Sequence, residues 1–257
     1  MAELNDKFEF EQDGKTYSLY NLPDGFVIKG DVDISDKGLT KLPDLSKVKV
    51  EGDFHCFNNQ LTSLQGAPRE VGGDFDCENN QLTSLIGAPQ EIAGNFHCGD
   101  NQLTSLEGAP QKVGYNFRCS DNKLTSLSGG PKEVGEGYYC VKNRLTSLKG
   151  APKKIGENFC CGDNPELTSL VGIPEMPEKD RIYCDDALAK RYDCFKFRDG
   201  SIWYKDMVES TAYQNELKIE ELRRKKHEDR VKKDTEAKAK RDAGFAAFKK
   251  MKSEERE

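Results

Sequence analysis

Residues 73–93 read Gly73-Asp74-Phe75-Asp76-Cys77-Glu78-Asn79-Asn80-Gln81-Leu82-Thr83-Ser84-Leu85-Ile86-Gly87-Ala88-Pro89-Gln90-Glu91-Ile92-Ala93, and at Gly94 the pattern starts again with Asn95-Phe96-His97-Cys98. The agreement runs column by column. A ring occupies Phe54, Phe75, Phe96, Phe117, Tyr138 and Phe159. A thiol occupies Cys56, Cys77, Cys98, Cys119, Cys140 and Cys161, always 21 residues apart. Leucines recur at 61, 82, 103, 124, 145 and 167, and again at 64, 85, 106, 127, 148 and 170. The last pair is displaced by one residue, the insertion of Pro165. A period this short marks a solenoid, in which one unit cannot bury its own apolar face but a stack of units closes a continuous core.

Within a unit, Phe-x-Cys alternates with period 2, so ring and thiol point inward from a short strand and their neighbours point outward. Leu-Thr-Ser-Leu turns the chain, and Gly-Ala-Pro forces an extended or turn return. No stretch has helical periodicity, so the convex side is expected to be extended or 3₁₀. The overall expectation is a mostly β fold: a solenoid of about eight rungs over 30–185, with a β-hairpin cap at 1–29, a C-terminal cap at 186–204 and a charged helical tail at 205–257.

Composition agrees. Hydrophobic residues make up 35% and charged residues 33%, too little apolar material for a spherical core and enough for a thin, extended one. No apolar run approaches the roughly 18 residues of a membrane span. The start of the chain lacks the basic and apolar segments of a secretory signal, so it is expected to stay where it is made. Nine cysteines argue against a pure disulfide framework, and no C-x2-C spacing of a metal site occurs. A thiol column stacked about 4.7–4.9 Å apart would be an oxidation hazard outside the cell. The thiols are therefore expected to be reduced and the location cytoplasmic.

The pattern F-x-C-x-x-N-x-L-T-S-L resembles the leucine-rich repeat, with Phe and Cys in two leucine places, and is most similar to the short bacterial and phage class. The resemblance covers about Gly30 to Asp185. It implies that Asn59, Asn80, Asn101, Asn122, Asn143 and Asn164 bond backbone groups of adjacent turns. It also implies a binding surface on the concave sheet, and a bacterial or phage protein that acts in the bacterial cytoplasm, binding and inhibiting a host factor.

The outward columns vary while the inward ones stay constant, which leaves them free for recognition. The partner-contact candidates are Asp53, His55, Phe57, Asp74, Asp76, Glu78, Asn95, His97, Asn116, Arg118, Tyr139 and Asn158. His55, Asp76 and His97 are suitable metal ligands, but an open sheet promises them little desolvation or support, so a polar binding surface is the preferred reading and no metal or other cofactor is expected. Cys160 is off the thiol phase and should face outward.

At the ends, Phe8-Glu9-Phe10 and Tyr17-Ser18-Leu19 flank Asp13-Gly14, a hairpin signal. A second hairpin is expected from Phe195-Lys196-Phe197 and Ile202-Trp203-Tyr204 around Asp199-Gly200, with Trp203 in the cap core. Residues 185–192 suit a short helix. In the tail, Val208, Ala212, Ile219 and Leu222 have helical spacing and are expected to dock on the cap.

Residues 223–252 carry thirteen Lys and Arg against five Asp and Glu, a local net of +8 that leaves −14 on the rest of the chain. The tail candidates are Arg223, Arg224, Lys225, Lys226, Phe245 and Phe248, for contact with a partner or a second copy in a coiled coil. Nucleic-acid contact through these cations is the alternative function. The leading one is a non-enzymatic protein-binding module. Cys184-x-Asp186 matches the catalytic triplet of repeat-linked ubiquitin ligases only trivially, since Cys184 is in strand phase and just 71 residues follow Asp186.

Overall fold

The computed structural model describes residues 8–192 and 201–254, and the side chains of 237 and 240–254 are outside the description. The chain divides into two compact units, Met1–Ser210 and Thr211–Glu257.

The first unit is a β-solenoid built on Phe-x-Cys. Two-residue strands beginning at Val32, Phe54, Phe75, Phe96, Phe117, Tyr138 and Phe159, then Arg181–Tyr183, pair in parallel, each with the equivalent residues of the next rung. These eight strands are joined by about seven turns of chain. The rings stack with centroids 5.0–5.7 Å apart from Phe54 to Phe159, an offset geometry worth roughly 0.5–1.5 kcal/mol per pair beyond burial. Within the stack a rung's apolar residues are fully covered: Phe75, Cys77, Leu82 and Leu85 have no exposed surface, and Ala88 and Ile92 have almost none. The thiols also donate across rungs, Cys77 Sγ to the His97 carbonyl and Cys98 Sγ to the Arg118 carbonyl, both at 3.2 Å.

The other side of the solenoid, expected to be extended or 3₁₀, is extended, and its segments pair into a second parallel sheet. Val27–Ile28, Lys49–Val50, Glu70–Val71, Glu91–Ile92, Lys112–Val113 and Glu133–Val134 form six strands. Val50, Val71, Ile92, Val113 and Val134 point inward and are buried. These residues also recur every 21 positions, but two residues are too short a run for alternation to register as a strand.

Six buried asparagines tie each rung to its neighbour. Each accepts the N–H of the first leucine one rung back, as Asn101 Oδ1 does from Leu82 at 2.9 Å. Each also donates Nδ2 to carbonyls of its own and the preceding rung; for Asn101 these are Cys77, Cys98 and Gly99. Asn59, Asn80, Asn122, Asn143 and Asn164 are bonded likewise. The turn that delivers them puts the preceding residue in left-handed backbone: Asn58, Asn79, Asp100, Asp121, Lys142 and Asp163 have φ between 49° and 54°. Asn and Asp tolerate this region; Lys142 is the exception.

The ends are capped. Glu9–Gln12 and Lys15–Ser18 form the expected antiparallel hairpin, with Asp13 and Gly14 both at positive φ, as a type I′ turn requires. Gln12 holds it on the first rung, donating to Val27 O at 2.9 Å and accepting from Lys29 N at 2.8 Å. At the other end α1 (Asp186–Arg191) buries Leu188 and Ala189. The Tyr192 hydroxyl accepts the Leu170 N–H at 2.7 Å.

Ser201–Trp203 pairs antiparallel with Arg181–Tyr183. The first arm of the hairpin expected around Asp199-Gly200 is outside the described residues. Ser201 and Ile202 of this strand are fully buried, while Trp203 is half-buried with the Arg181 guanidinium 4.8 Å above its ring. After α2 (Tyr204–Glu209), Ser210 breaks the chain with extended backbone. Val208 therefore belongs to α2, while Ile219 and Leu222 lie exposed on the second unit's helix α3 (Thr211–Glu254), and the four residues do not make one stripe.

Two substitutions test this packing. Lys142→Asn should raise stability by about 1 kcal/mol in urea denaturation, because asparagine adopts left-handed backbone at lower cost; an unchanged or lower midpoint contradicts the strain. Tyr138 is the one tyrosine in the ring stack, and its buried hydroxyl has no ordinary hydrogen-bond partner, facing only the Cys119 thiol. It occupies room that Gly130 leaves: a Cβ at 130 would sit 3.3 Å from it, and the equivalent positions of other rungs are Ala67, Ala88, Ala109 and Ala151. Tyr138→Phe should stabilise by about 1 kcal/mol. Gly130→Ala should be tolerated better in that background than in the wild type, a coupling that a double-mutant cycle reads.

Candidate functional site

In-register pairing places Asp33, His55, Asp76, His97, Arg118, Tyr139, Cys160 and Tyr183 in one row on the outer face of the first sheet. Acid and base alternate along its first half, as a stack of rungs about 4.8 Å apart favours. Phe57 and Glu78 lie two residues further along their rungs, on the same face.

The flanking column also bonds one rung to the next. The Oδ1 of Asp53 accepts the N–H of Asp74 at 2.7 Å, and that of Asp74 accepts the N–H of Asn95 at 2.7 Å. Asn95 does the same for Asn116, Asn116 for Gly137, and Asn158 for Arg181. These five residues, assigned to partner contact because the column varies, form a second ladder between rungs. The variation is almost confined to Asp and Asn because both present the same acceptor oxygen at the same reach.

The remaining candidates fall into three groups. His55 lies against Phe57, ring centroids 5.9 Å apart, and near Asp33. Burial works to raise the Asp33 pKa, but the Ser35 hydroxyl and N–H bonded to its carboxylate hold it below the usual value. Further along, the Arg118 guanidinium stacks 4.4 Å over the Tyr139 ring.

Between them Asp76, Glu78 and His97 converge, with one polar atom of each within 4.8 Å of the others. His97 Nδ1 is 3.7 Å from Asp76 Oδ2, and the two side chains are only 23% and 18% exposed. The Glu78 N–H donates to Asp76 Oδ1 at 2.9 Å. Burial, then the Asp76 charge, pushes the Glu78 pKa up. An open cavity of about 490 Å³ adjoins, lined by Phe57, Asn58, Asp76, Glu78, Asn79 and Asp100. Of the three ligand types weighed in the sequence, His55, Asp76 and His97, the cluster lacks His55 and includes Glu78.

Cys160 corrects another expectation. It is off the thiol phase, yet it is 8% exposed, because its register neighbours are the rings of Tyr139 and Tyr183. Burial pushes its thiol up to about 12, which removes it as a ready nucleophile.

The sequence reading missed a groove of about 980 Å³ over the second sheet, lined by the chain segments around Val113, Val134 and Ile155, whose side chains are themselves buried, and bordered by Lys132 and Lys153. Its only signal was the Val/Ile column.

In the tail helix, Arg223, Arg224, Lys225 and Lys226 are exposed. Three of them pair within the helix: Arg223 with Glu220, Arg224 with Glu228, and Lys225 with Glu221. Phe245 and Phe248 lie in α3, with side chains outside the described residues. Among the described residues no helix is long and apolar enough to cross a membrane.

The thiol columns set an alkaline limit on stability. Burial first, with charge from nearby thiols or carboxylates adding in most cases, raises the pKa of Cys56, Cys77, Cys98, Cys119, Cys140, Cys160 and Cys161. Unfolded, these thiols ionise near about 8.5. Above that pH the unfolded chain binds fewer protons than the folded one, so stability falls as pH rises. At about 1.4 kcal/mol per pH unit for each thiol, seven approach about 10 kcal/mol per unit. The urea midpoint should hold to about pH 8 and collapse between about pH 9 and 10. A Cys98→Ala/Cys119→Ala variant should show a shallower slope. An undiminished midpoint at pH 10 would contradict the burial.

Scans against protein-family models and searches of curated proteins and of solved structures found no match to this chain.

Proposed function

We propose that this chain is a leucine-rich-repeat-type protein of the short bacterial or phage class. In this reading it is a non-enzymatic interaction module that grips a protein partner with the outer face of its Phe-x-Cys sheet, in the manner of an inhibitor of a host factor. The observation that carries the reading is the outer row itself. Its backbone is pinned by two side-chain ladders, so His55, Phe57, Asp76, Glu78, His97, Arg118 and Tyr139 are presented at set spacings on a surface that has little conformational entropy left to lose on binding. The row mixes acids, a stacked Arg–Tyr pair and half-buried rings, and Arg and Tyr are the residue types that dominate protein interfaces. Eight buried free thiols among the described residues support a reducing, intracellular setting.

Nucleic-acid contact through the tail helix is the weaker reading. Three of its four leading cations face carboxylates of the same helix, which lowers the charge left for phosphates.

The test is affinity capture from the native host with the full chain as bait, partners identified by mass. The Asp76→Ala/Arg118→Ala/Tyr139→Ala variant should lose the partner while keeping the far-UV spectrum of the wild type. Full capture by that variant sinks the proposal. Loss confined to a variant with Arg223, Arg224, Lys225 and Lys226 changed to Glu, together with a salt-sensitive gel shift, would favour the alternative.

A further inference from the structure

We infer that Asp76, Glu78 and His97 form a binding site for a divalent transition-metal cation, zinc being the representative ion. One imidazole and two carboxylates are the mixed nitrogen and oxygen donors that suit zinc, manganese, cobalt or nickel better than calcium or magnesium.

The geometry is supplied by the fold. Parallel pairing sets His97 directly beside Asp76 on the next rung. Glu78 is two residues beyond Asp76 and so shares its face. The position beside Glu78 on that next rung is Gly99. A Cβ there would be 3.0 Å from Glu78 Oε1, so the missing side chain is the room into which the carboxylate leans. The Glu78 N–H occupies Asp76 Oδ1, which leaves Oδ2 facing His97 Nδ1 at 3.7 Å. Two donors on a tetrahedral zinc, each about 2.0–2.2 Å from the ion, lie about 3.4 Å apart, so closure needs only a small movement.

An open sheet argued against a metal in the sequence because it promised no desolvation and no supporting bonds. Here the Asp76 and His97 side chains are about four-fifths covered, and the backbone orients Asp76. Charge points the same way. Among the described residues neither Asp76 nor Glu78 forms an ion pair with Lys or Arg, and the nearest rung's cation, Arg118, is stacked on Tyr139. Two neighbouring carboxylates have one imidazole in contact, with the Arg118 charge also acting on Glu78 without forming an ion pair, and a cation is the ligand that would complete them. Three protein donors leave a further coordination position, and the polar cavity beside Asp76 and Glu78 is the space for it. The site needs no partner protein, so it stands or falls apart from the interaction reading above.

The experiment is calorimetric titration of the full chain with zinc chloride, paired with visible absorption on adding cobalt(II). The wild type should bind one equivalent, and the cobalt spectrum should lack the near-ultraviolet thiolate band that cysteine ligation produces. Glu78→Gln and His97→Gln should each weaken binding by at least about tenfold. His55→Gln and Cys160→Ser should leave it unchanged. All four are outer-face changes whose folding is checked by far-UV spectra, and the wild-type titration decides by itself if a variant fails to fold. Absence of binding to about 1 mM ion, which is weaker than about −4 kcal/mol, would overturn the site. So would a thiolate band, or an affinity that neither Glu78→Gln nor His97→Gln alters.

Discussion

The structure depends on each rung satisfying the backbone of the next. With strands only two residues long, a rung cannot complete its hydrogen bonding alone, and an unpaired buried N–H or C=O costs on the order of 1–3 kcal/mol. The buried asparagines make the dependence strict. Asn101 bonds the Leu82 N–H and the Cys77 carbonyl of the preceding rung while Cys98 and Gly99 of its own rung hold its amide in place, so a shift by one residue between rungs would orphan both cross-rung partners together. Register is thereby locked, and every column of the repeat becomes a column in space.

In-register stacking has a chemical corollary: like meets like. Phenyl rings gain from it, as the unbroken stack from Phe54 to Phe159 shows. Thiols accept it while they remain protonated. Carboxylates do not, unless backbone N–H groups share the charge, as they do for Asp53 and Asp74. An outer row of six aspartates about 4.8 Å apart would repel itself. Part of the variation in the row Asp33, His55, Asp76, His97, Arg118, Tyr139 is therefore required by the stack, before any partner is considered. What distinguishes the centre of the row is that Asp76 and Glu78 converge on the one imidazole of His97 without an ion pair to Lys or Arg among the described residues. The proposed cation site and the Arg118–Tyr139 pair lie side by side there, on the stretch of surface with the most chemistry.

Legibility in the sequence followed chemical constraint. Phe, Cys, Leu and the ladder Asn tolerate few replacements, so their period could be read directly, and the N-terminal hairpin was legible in Asp13-Gly14. The second sheet was not, because Glu91-Ile92 and its equivalents are too short for alternation and one of each pair is a solvated charge. The column from Asp53 to Asn158 carries a bonding role that the sequence did not show: variation between Asp and Asn looks like freedom, but both residues present the one oxygen the next rung needs. Cys160 and Glu78 depended on neighbours in other rungs, Tyr139 and Tyr183 for the first and the empty place at Gly99 for the second.

The sequence alone determined that this protein is a stack of 21-residue rungs with rings and thiols inside, because periodic burial leaves a periodic trace. Only the tertiary structure decided which outward side chains are already committed and which converge. That depends on distances between residues 21 positions apart, and a one-dimensional pattern can show that two residues share a column without showing what stands beside them.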